Sequence, residues 1–310
     1  MNDPEVLVIG RNCLDYISVV EEFPEEDKKA ALCIRMVEGG GQGGTSSCCI
    51  ARVGGKVTLL GKLGDDEEGR FCIQRLQAFE VNTDYMEKVK GGKTPVAYLF
   101  VTRDSGKRTI IYEPNRLPKI TVDKRLADLV SRSGSILLDP DVTYLGRELR
   151  RIIKNRVKII YDCERWRDGI EEMMALADFF VPSSDFLGSK ELNLKSTSLH
   201  SKIMELGQMV HGTLIITHGE DGVYYLSDKM LFHVAAPEIN VVDTTGAGDN
   251  FHGAFALAQS RGYDLHAAIT FAVAVASLSC REYGGRKGLP TMAEATRTAA
   301  KLTAVRVEIP

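Results

Sequence analysis

Val241-Val242-Asp243-Thr244-Thr245-Gly246-Ala247-Gly248-Asp249-Asn250-Phe251 is the stretch on which the reading of this chain turns. Ile239, Val241 and Val242 predict the end of a strand, and Phe251 to Ala258 predicts a helix. Two glycines separated by one small residue let the backbone present successive N–H groups to one point, where the positive end of the helix dipole also falls. That arrangement suits an anion. Asp249, at the helix start, would face whatever those amides hold, and a carboxylate there can take a proton from a hydroxyl attacking the anion. The chemistry suggested is phosphoryl transfer. The plainer alternative is an ordinary strand-to-helix turn in which Asp249 only caps the helix.

Upstream, Val6-Leu7-Val8-Ile9-Gly10 is a continuous apolar run closed by glycine, the pattern of a buried parallel strand. From Leu14 to Val37 apolar and polar residues alternate around Pro24-Glu25-Glu26-Asp27, which predicts strands with one exposed face. Thr94 to Tyr112 predicts a hairpin that turns at Asp104-Ser105-Gly106-Lys107. Helix-like and strand-like segments then alternate: Val122 to Ser131 and Ser135 to Asp139, Leu145 to Asn155 and Val157 to Asp162, Gly169 to Ala177 and Asp178 to Pro182. Such units imply a parallel sheet covered by helices, with ligands beyond the carboxyl ends of the strands. Asp139, Asp162 and Ser183 fall at those ends. Arg165 and Arg167 flank the only tryptophan and either meet an anionic substrate or cover apolar surface. Leu214 to Gly222 is a further strand and turn, in which His218 has no second histidine at metal spacing, and Ala267 to Cys280 is a small-residue apolar helix.

Gly39, Gly41 and Gly44 satisfy G-x-G-x-x-G ahead of the helix-like Thr45 to Val53, with Asp65 about 20 residues further on. A dinucleotide-binding fingerprint, and with it a nicotinamide oxidoreductase, is therefore the rival reading. Against it, Cys33 to Glu38 carries charges that a buried first strand would lack, and an earlier strand already opens the sheet.

Asp-Thr-Thr-Gly-Ala-Gly-Asp-x-Phe at 243–251 resembles the C-terminal signature of the PfkB (ribokinase-like) carbohydrate kinases. Gly40 to Gly55, with its Ala51-Arg52-x-Gly54-Gly55 ending and the following Leu63-Gly64-Asp65-Asp66-x-x-Gly69, resembles the N-terminal one. The resemblance implies an α/β fold: a ribokinase-like three-layer α/β/α sandwich with a mostly parallel central sheet and a small β-sheet lid. It implies one domain over 1–310, a lid built from 11–37 and 93–115, and a homodimer formed through that lid.

By the same resemblance Asp249 is the catalytic base, and Gly246, Ala247 and Gly248 form the anion hole. Asp15, Gly40, Gly41 and Thr45 would bind substrate, with Thr45 standing where the family has Asn. ATP would meet Ser183, Thr217, Gly219, Gly222, Val273 and Ala276. The family's Asn-x-x-Glu is Ser183-Ser184-Asp185-Phe186 here, so Asp185 would reach Mg2+ only through water. Asp243 and Thr245, with the Gly284 to Pro290 segment, would hold a monovalent cation such as K+. The expected reaction is ATP-dependent phosphorylation of a primary hydroxyl on a small sugar, by an ordinary carboxylate with no raised pKa. The glycine variants resemble the ketohexokinase and sulfofructose kinase side of the family and favour a ketose, while ribose, a nucleoside and a sugar phosphate stay open. A non-catalytic sugar sensor on the same fold would be expected to have lost the base or the anion hole, and both are intact.

The 310 residues suffice for one large α/β domain with an appendage, and 44% hydrophobic with 26% charged residues is a globular balance. A net charge of −3 gives a nucleic-acid partner no electrostatic support, so Arg147, Arg150, Arg151, Lys154, Arg156 and Lys158 are expected on a solvated helix face. Seven cysteines without a C-x-x-C pair suit reduced thiols rather than disulfides or zinc. No run is long enough for a membrane span and Asn2-Asp3-Pro4-Glu5 is unlike a signal peptide, which predicts a cytoplasmic protein.

Overall fold

The structure, a computed structural model, describes residues 3–153 and 157–308. Its centre is a ten-stranded sheet. In chain order the strands are β1 (Val6–Ile9), β4 (Val57–Gly64), β5 (Asn82–Val89), β8 (Ser135–Leu138), β9 (Lys158–Cys163), β10 (Phe179–Pro182), β11 (Thr213–Thr217), β12 (Val223–Ser227), β13 (Met230–Val234) and β14 (Ala304–Arg306). They are arranged β14-β13-β12-β11-β10-β9-β8-β1-β4-β5, and every neighbouring pair from β5 to β11 is parallel. The antiparallel β12, β13 and β14 finish one edge.

β1 shows why this sheet lies between two helical layers. All four of its residues are buried, and Val6 and Val8 enter one apolar core while Leu7 and Ile9 enter the other. Alternation on a pleated strand sends successive side chains to opposite faces, so an unbroken apolar run needs cover on both. The first layer holds α1 (Gln42–Arg52), α2 (Glu67–Ala78), α7 (Ala247–Ser260), α8 (Leu265–Ser279) and α9 (Met292–Ala299). The second holds α3 (Lys124–Ser131), α4 (Gly146–Ile152), α5 (Ile170–Leu176) and α6 (Leu199–Gly207). Helix starts are set by local chemistry: Asp123 caps α3 through Leu126 N–H at 2.7 Å, and Asp66 caps α2 through Gly69 N–H at 2.9 Å while also accepting from Thr94.

The two stretches of alternating residues form one separate four-stranded sheet. Its strands are β2 (Cys13–Val20), β3 (Leu32–Gly40), β6 (Val96–Thr102) and β7 (Arg108–Tyr112), in the order β3-β2-β6-β7. Parallel pairing of β2 with β6, from Leu14↔Val96 to Val20↔Thr102, joins the two halves. β3 runs on to Gly40, so the sheet reaches into the glycine-rich stretch beyond Val37. One face buries Ile17, Val19, Ala97, Leu99 and Val101.

One expectation changes and the rival reading falls. No strand forms over Ile239 to Val242: that segment docks on the end of α8, where Val242 N–H and Asp243 N–H both donate to Cys280 O, at 2.8 and 3.2 Å. β-Branched residues favour a strand only where a neighbouring strand offers its edge, and here none does. The dinucleotide fingerprint fails because β3, which precedes it, belongs to the small mostly antiparallel sheet and not to a parallel βαβ unit. The basic cluster lies partly outside the described residues, at Lys154 and Arg156, as does the expected helix end at Asn155, while Arg147, Arg150 and Arg151 are exposed on α4. All seven cysteines are free. Among the described residues no helix is long and apolar enough to cross a membrane.

Candidate active site

A cleft of about 1020 Å³ lies at the carboxyl ends of β1, β9, β10 and β11, beneath the buried face of the small sheet. Its floor includes the start of α7. Gly246 caps that helix with φ +72°, a conformation that disfavours any side chain, and a Cβ there would come within 2.9 Å of Gly285 Cα and 3.0 Å of Thr45 Cγ2. Thr45 sits in the first turn of α1, so its methyl group locks the two glycine-rich loops together. Gly253 and Ser46 continue the close approach, since a Cβ on Gly253 would lie 2.6 Å from Ser46 O. The first amides of an α-helix have no partner within it. Gly246 and Gly248 line the cleft, whereas Ala247 does not, and its N–H closes a turn onto Thr244 O at 3.3 Å.

Asp249 faces the cleft from the first turn of α7. Burial, followed by the nearby Asp162 carboxylate, pushes its pKa up to about 7, while His252 and Arg108 pull the other way. The expectation of an unperturbed carboxylate is therefore corrected. Asp162 at the end of β9 is itself buried, which raises it to about 8 with help from Glu164. Beside it, His252 Nδ1 lies 3.5 Å from Asp162 Oδ2 and His252 Nε2 3.1 Å from Val181 O.

Asp15 reaches the cleft from β2, with its pKa raised to about 6 by burial and restrained by the Cys13 thiol, which donates to Oδ1 at 3.2 Å, and by Arg286. Gly41 and Thr45 also line it. Gly40 does not; its place is steric, because a Cβ there would fall 2.0 Å from Asp15 Oδ2. The rest of the glycine run has a similar cause. Arg286, 1% exposed, donates to Gly40 O at 2.9 Å and to Asn12 Oδ1 at 3.2 Å, and its guanidinium fills the space that side chains on Gly39 and Gly44 would need.

On the other side Ser183 and Thr217 pair across the ends of β10 and β11, and both line the cleft with the exposed Asp185. Gly219 and Gly222 shape the turn into β12 and do not line the cleft. Val273, 3% exposed, is a core residue rather than a wall, because α8 packs against α7; Ala276 packs against the same core. Asp243 is 1% exposed, and its two oxygens accept from Thr245 N–H at 2.9 Å and Gly284 N–H at 2.8 Å. Thr245 lines the cleft, and its hydroxyl is buried with no partner among the described residues. No group of three or more His, Cys, Asp or Glu among the described residues is placed to hold a metal.

Sequence reasoning missed Arg108, Arg11 and Tyr112. Arg108, on β7, lines the cleft and donates to Thr244 Oγ1 at 3.0 Å, tying the small sheet to the loop before α7. Asp139 is buried and held well above the usual carboxylate range by burial and by Asp141; it accepts from the Arg11 and Asp141 amides and so braces the end of β1. Its role is structural.

The sequence is 27% identical to the ribokinase of Bacillus subtilis (strain 168) over 293 residues, covering 93% of this chain and 97% of that one. It is 24% identical to the ketohexokinase of Mus musculus over 294 residues, covering 90% and 97%. Among solved structures, Arabidopsis thaliana ribokinase complexed with ribose and ATP superposes with a TM-score of 0.81 at 22% identity, covering 96% of this chain and 99% of that one. Thermotoga maritima ribokinase gives 0.81 at 21%, covering 96% and 100%. The model of the pfkB family of carbohydrate kinases matches residues 3–292. With that match spanning both glycine-rich loops and the cleft between them, the chain belongs to the pfkB family and is an ATP-dependent carbohydrate kinase.

Proposed function

We propose that this kinase transfers the γ-phosphoryl group of ATP to a primary hydroxyl of a small sugar, with a ketose as the preferred acceptor. The observation that carries the proposal is Asp249, in the first turn of α7 and facing a cleft that Asp15, Ser183 and Thr217 also line. The sugar lies under the small sheet, which acts as its lid within a single domain, held by Asp15, Thr45 and the backbone at Gly41. Asp249 accepts the proton of the attacking hydroxyl. The amides at Gly246 and Gly248 meet the phosphoryl oxygens, and Arg108 brings a positive charge from the lid to the same loop. ATP lies along the ends of β10 and β11, against Ser183 and Thr217.

Magnesium fits a site of this kind without a protein cage, since it keeps most of its waters and takes the remaining ligands from phosphates; it would neutralise charge on the triphosphate. Asp185, exposed and lining the cleft, would meet it through water. A monovalent cation fits Asp243, a buried carboxylate with two backbone N–H donors and no ion pair among the described residues, beside the unpartnered Thr245 hydroxyl. The outer face of the lid carries a cross-strand row, Val37, Tyr16, Tyr98 and Ile111, with Val37, Tyr98 and Ile111 exposed. Two such rows packed together would make a homodimer.

A panel of ketoses, aldoses and nucleosides with ATP and magnesium, followed by ADP release, tests the assignment. Ketoses should be turned over with the highest kcat/KM. The likeness to ribokinases keeps ribose as the second candidate, and faster turnover of ribose would replace the ketose.

A further inference from the structure

The cations lining the cleft are not equally occupied. Lys62 pairs with Glu87 at 2.9 Å, Arg167 pairs with Glu164 at 3.3 Å, and Arg108 is bound to Thr244. Arg11 and Arg165 have no carboxylate partner at ion-pair distance among the described residues, and both converge on one ring. The Arg11 guanidinium lies over Tyr112, 5.4 Å from its centroid, and Arg165 Nη2 donates to the Tyr112 hydroxyl at 2.8 Å. Arg11 Nε is buried and has no hydrogen-bond partner among the described residues. Arg11 follows β1, Arg165 follows β9 and Tyr112 ends β7, so this group lies where the small sheet meets the carboxyl ends of the central strands.

A guanidinium is a rigid fork of donors suited to oxyanions. Keeping Arg11 half-buried with an unused donor is costly unless something else completes its hydrogen bonding. Resting on the kinase reading above, we propose that the acceptor is an anionic sugar. It would carry one oxyanion at the end opposite the phosphorylated hydroxyl, bound between Arg11 and Arg165 with Tyr112 holding the two guanidinium groups in place. A carboxylate, a sulfonate or a phosphate ester supplies this chemistry.

The test compares a neutral ketohexose with the corresponding sugar acid, C6 sulfonate and C6 phosphate, by calorimetric binding without ATP and by ADP release with it. At least one anionic sugar should bind roughly ten times or more tighter than the neutral one. Arg165→Gln, at an exposed position, and Arg11→Gln should each cut the anionic-to-neutral ratio roughly 10- to 100-fold, with Arg11→Lys restoring part of it. The preferred anion identifies the source of the charge. Equal binding of neutral and anionic sugars, binding of neither, or an unchanged ratio in variants that melt like the parent, overturns the subsite. Anion-dependent binding without ADP release from any sugar supports the subsite and removes the kinase assignment, whereas ADP release without anion preference does the reverse.

Discussion

His252 Nδ1 lies 3.5 Å from Asp162 Oδ2, both side chains are buried, and His252 follows Asp249 by one turn of α7. Burial and the Asp162 charge together raise Asp249 to about 7, which puts the base inside the working pH range. A base must be deprotonated to accept the substrate proton, so kcat/KM should fall tenfold per pH unit below about pH 7. Asp162→Asn removes the neighbouring acid that contributes to the raised value of Asp249 and should move that limb to lower pH. A limb that stays in place in that variant would separate Asp162 from the base.

The same groups set how stability depends on pH. Asp15, Asp249 and Asp162 are raised to about 6, 7 and 8 from the ordinary 3.8. From pH 4 upward the unfolded chain loses these protons while the folded chain keeps them, so stability present at low pH is lost as pH rises through 6, 7 and 8. His252, lowered by burial, opposes this trend where the unfolded histidine still binds a proton. Asp249→Asn should flatten the decline in melting temperature between pH 5 and pH 8.5 while turnover drops by roughly 10²- to 10⁴-fold. Parallel melting curves for parent and variant across that range, or near-parental turnover, would contradict the assignment.

The loop from Gly246 to Asp249 was legible because its backbone demands a glycine at a left-handed position and its helix begins at once. β1 was legible because a strand buried on both faces must be apolar throughout. What could not be read depends on residues far apart in the chain. The raised pKa of Asp249 needs Asp162 and the burial around it, and Arg108 reaches Thr244 only once the small sheet has folded over the cleft. The glycines from Gly39 to Gly44 read as a nucleotide fingerprint because the sequence does not show that Arg286 and Asp15 occupy the space beside them. Val273 read as a wall because a mostly small, apolar helix carries little mark of which face is covered.

Arg108→Ala should lower kcat more than it raises the KM of the sugar. The side chain comes from the lid to the loop beside Asp249, where charge develops on the transferred group, so its effect should be concentrated in the transition state. A loss of roughly 10- to 1,000-fold is expected. An unchanged kcat with a raised sugar KM would make Arg108 a lid latch only.

Asp243 and Thr245 offer the test of the cation. Turnover in potassium chloride should exceed turnover in an organic-cation salt of equal ionic strength, and Asp243→Asn should abolish the difference. Because Asp243 also ties the loop to Gly284 N–H, melting temperature must be followed alongside. Equal rates in both salts would leave Asp243 as a loop tether alone.

Gly40→Ala separates sugar placement from phosphoryl transfer. The added Cβ would fall 2.0 Å from Asp15 Oδ2, and that carboxylate must then move, while the start of α7 and the ends of β10 and β11 are not touched. A displacement of about 1 Å in a positioning group costs on the order of 10²-fold. The sugar KM should therefore rise by roughly tenfold or more, or kcat/KM for the sugar fall by up to about a hundredfold, while the KM for ATP stays within about twofold. Background ATP hydrolysis, which needs no sugar, should persist. If the KM for ATP rises in step with that for the sugar, Gly40 is shaping the whole cleft, and Asp15 is not the contact that reads the acceptor.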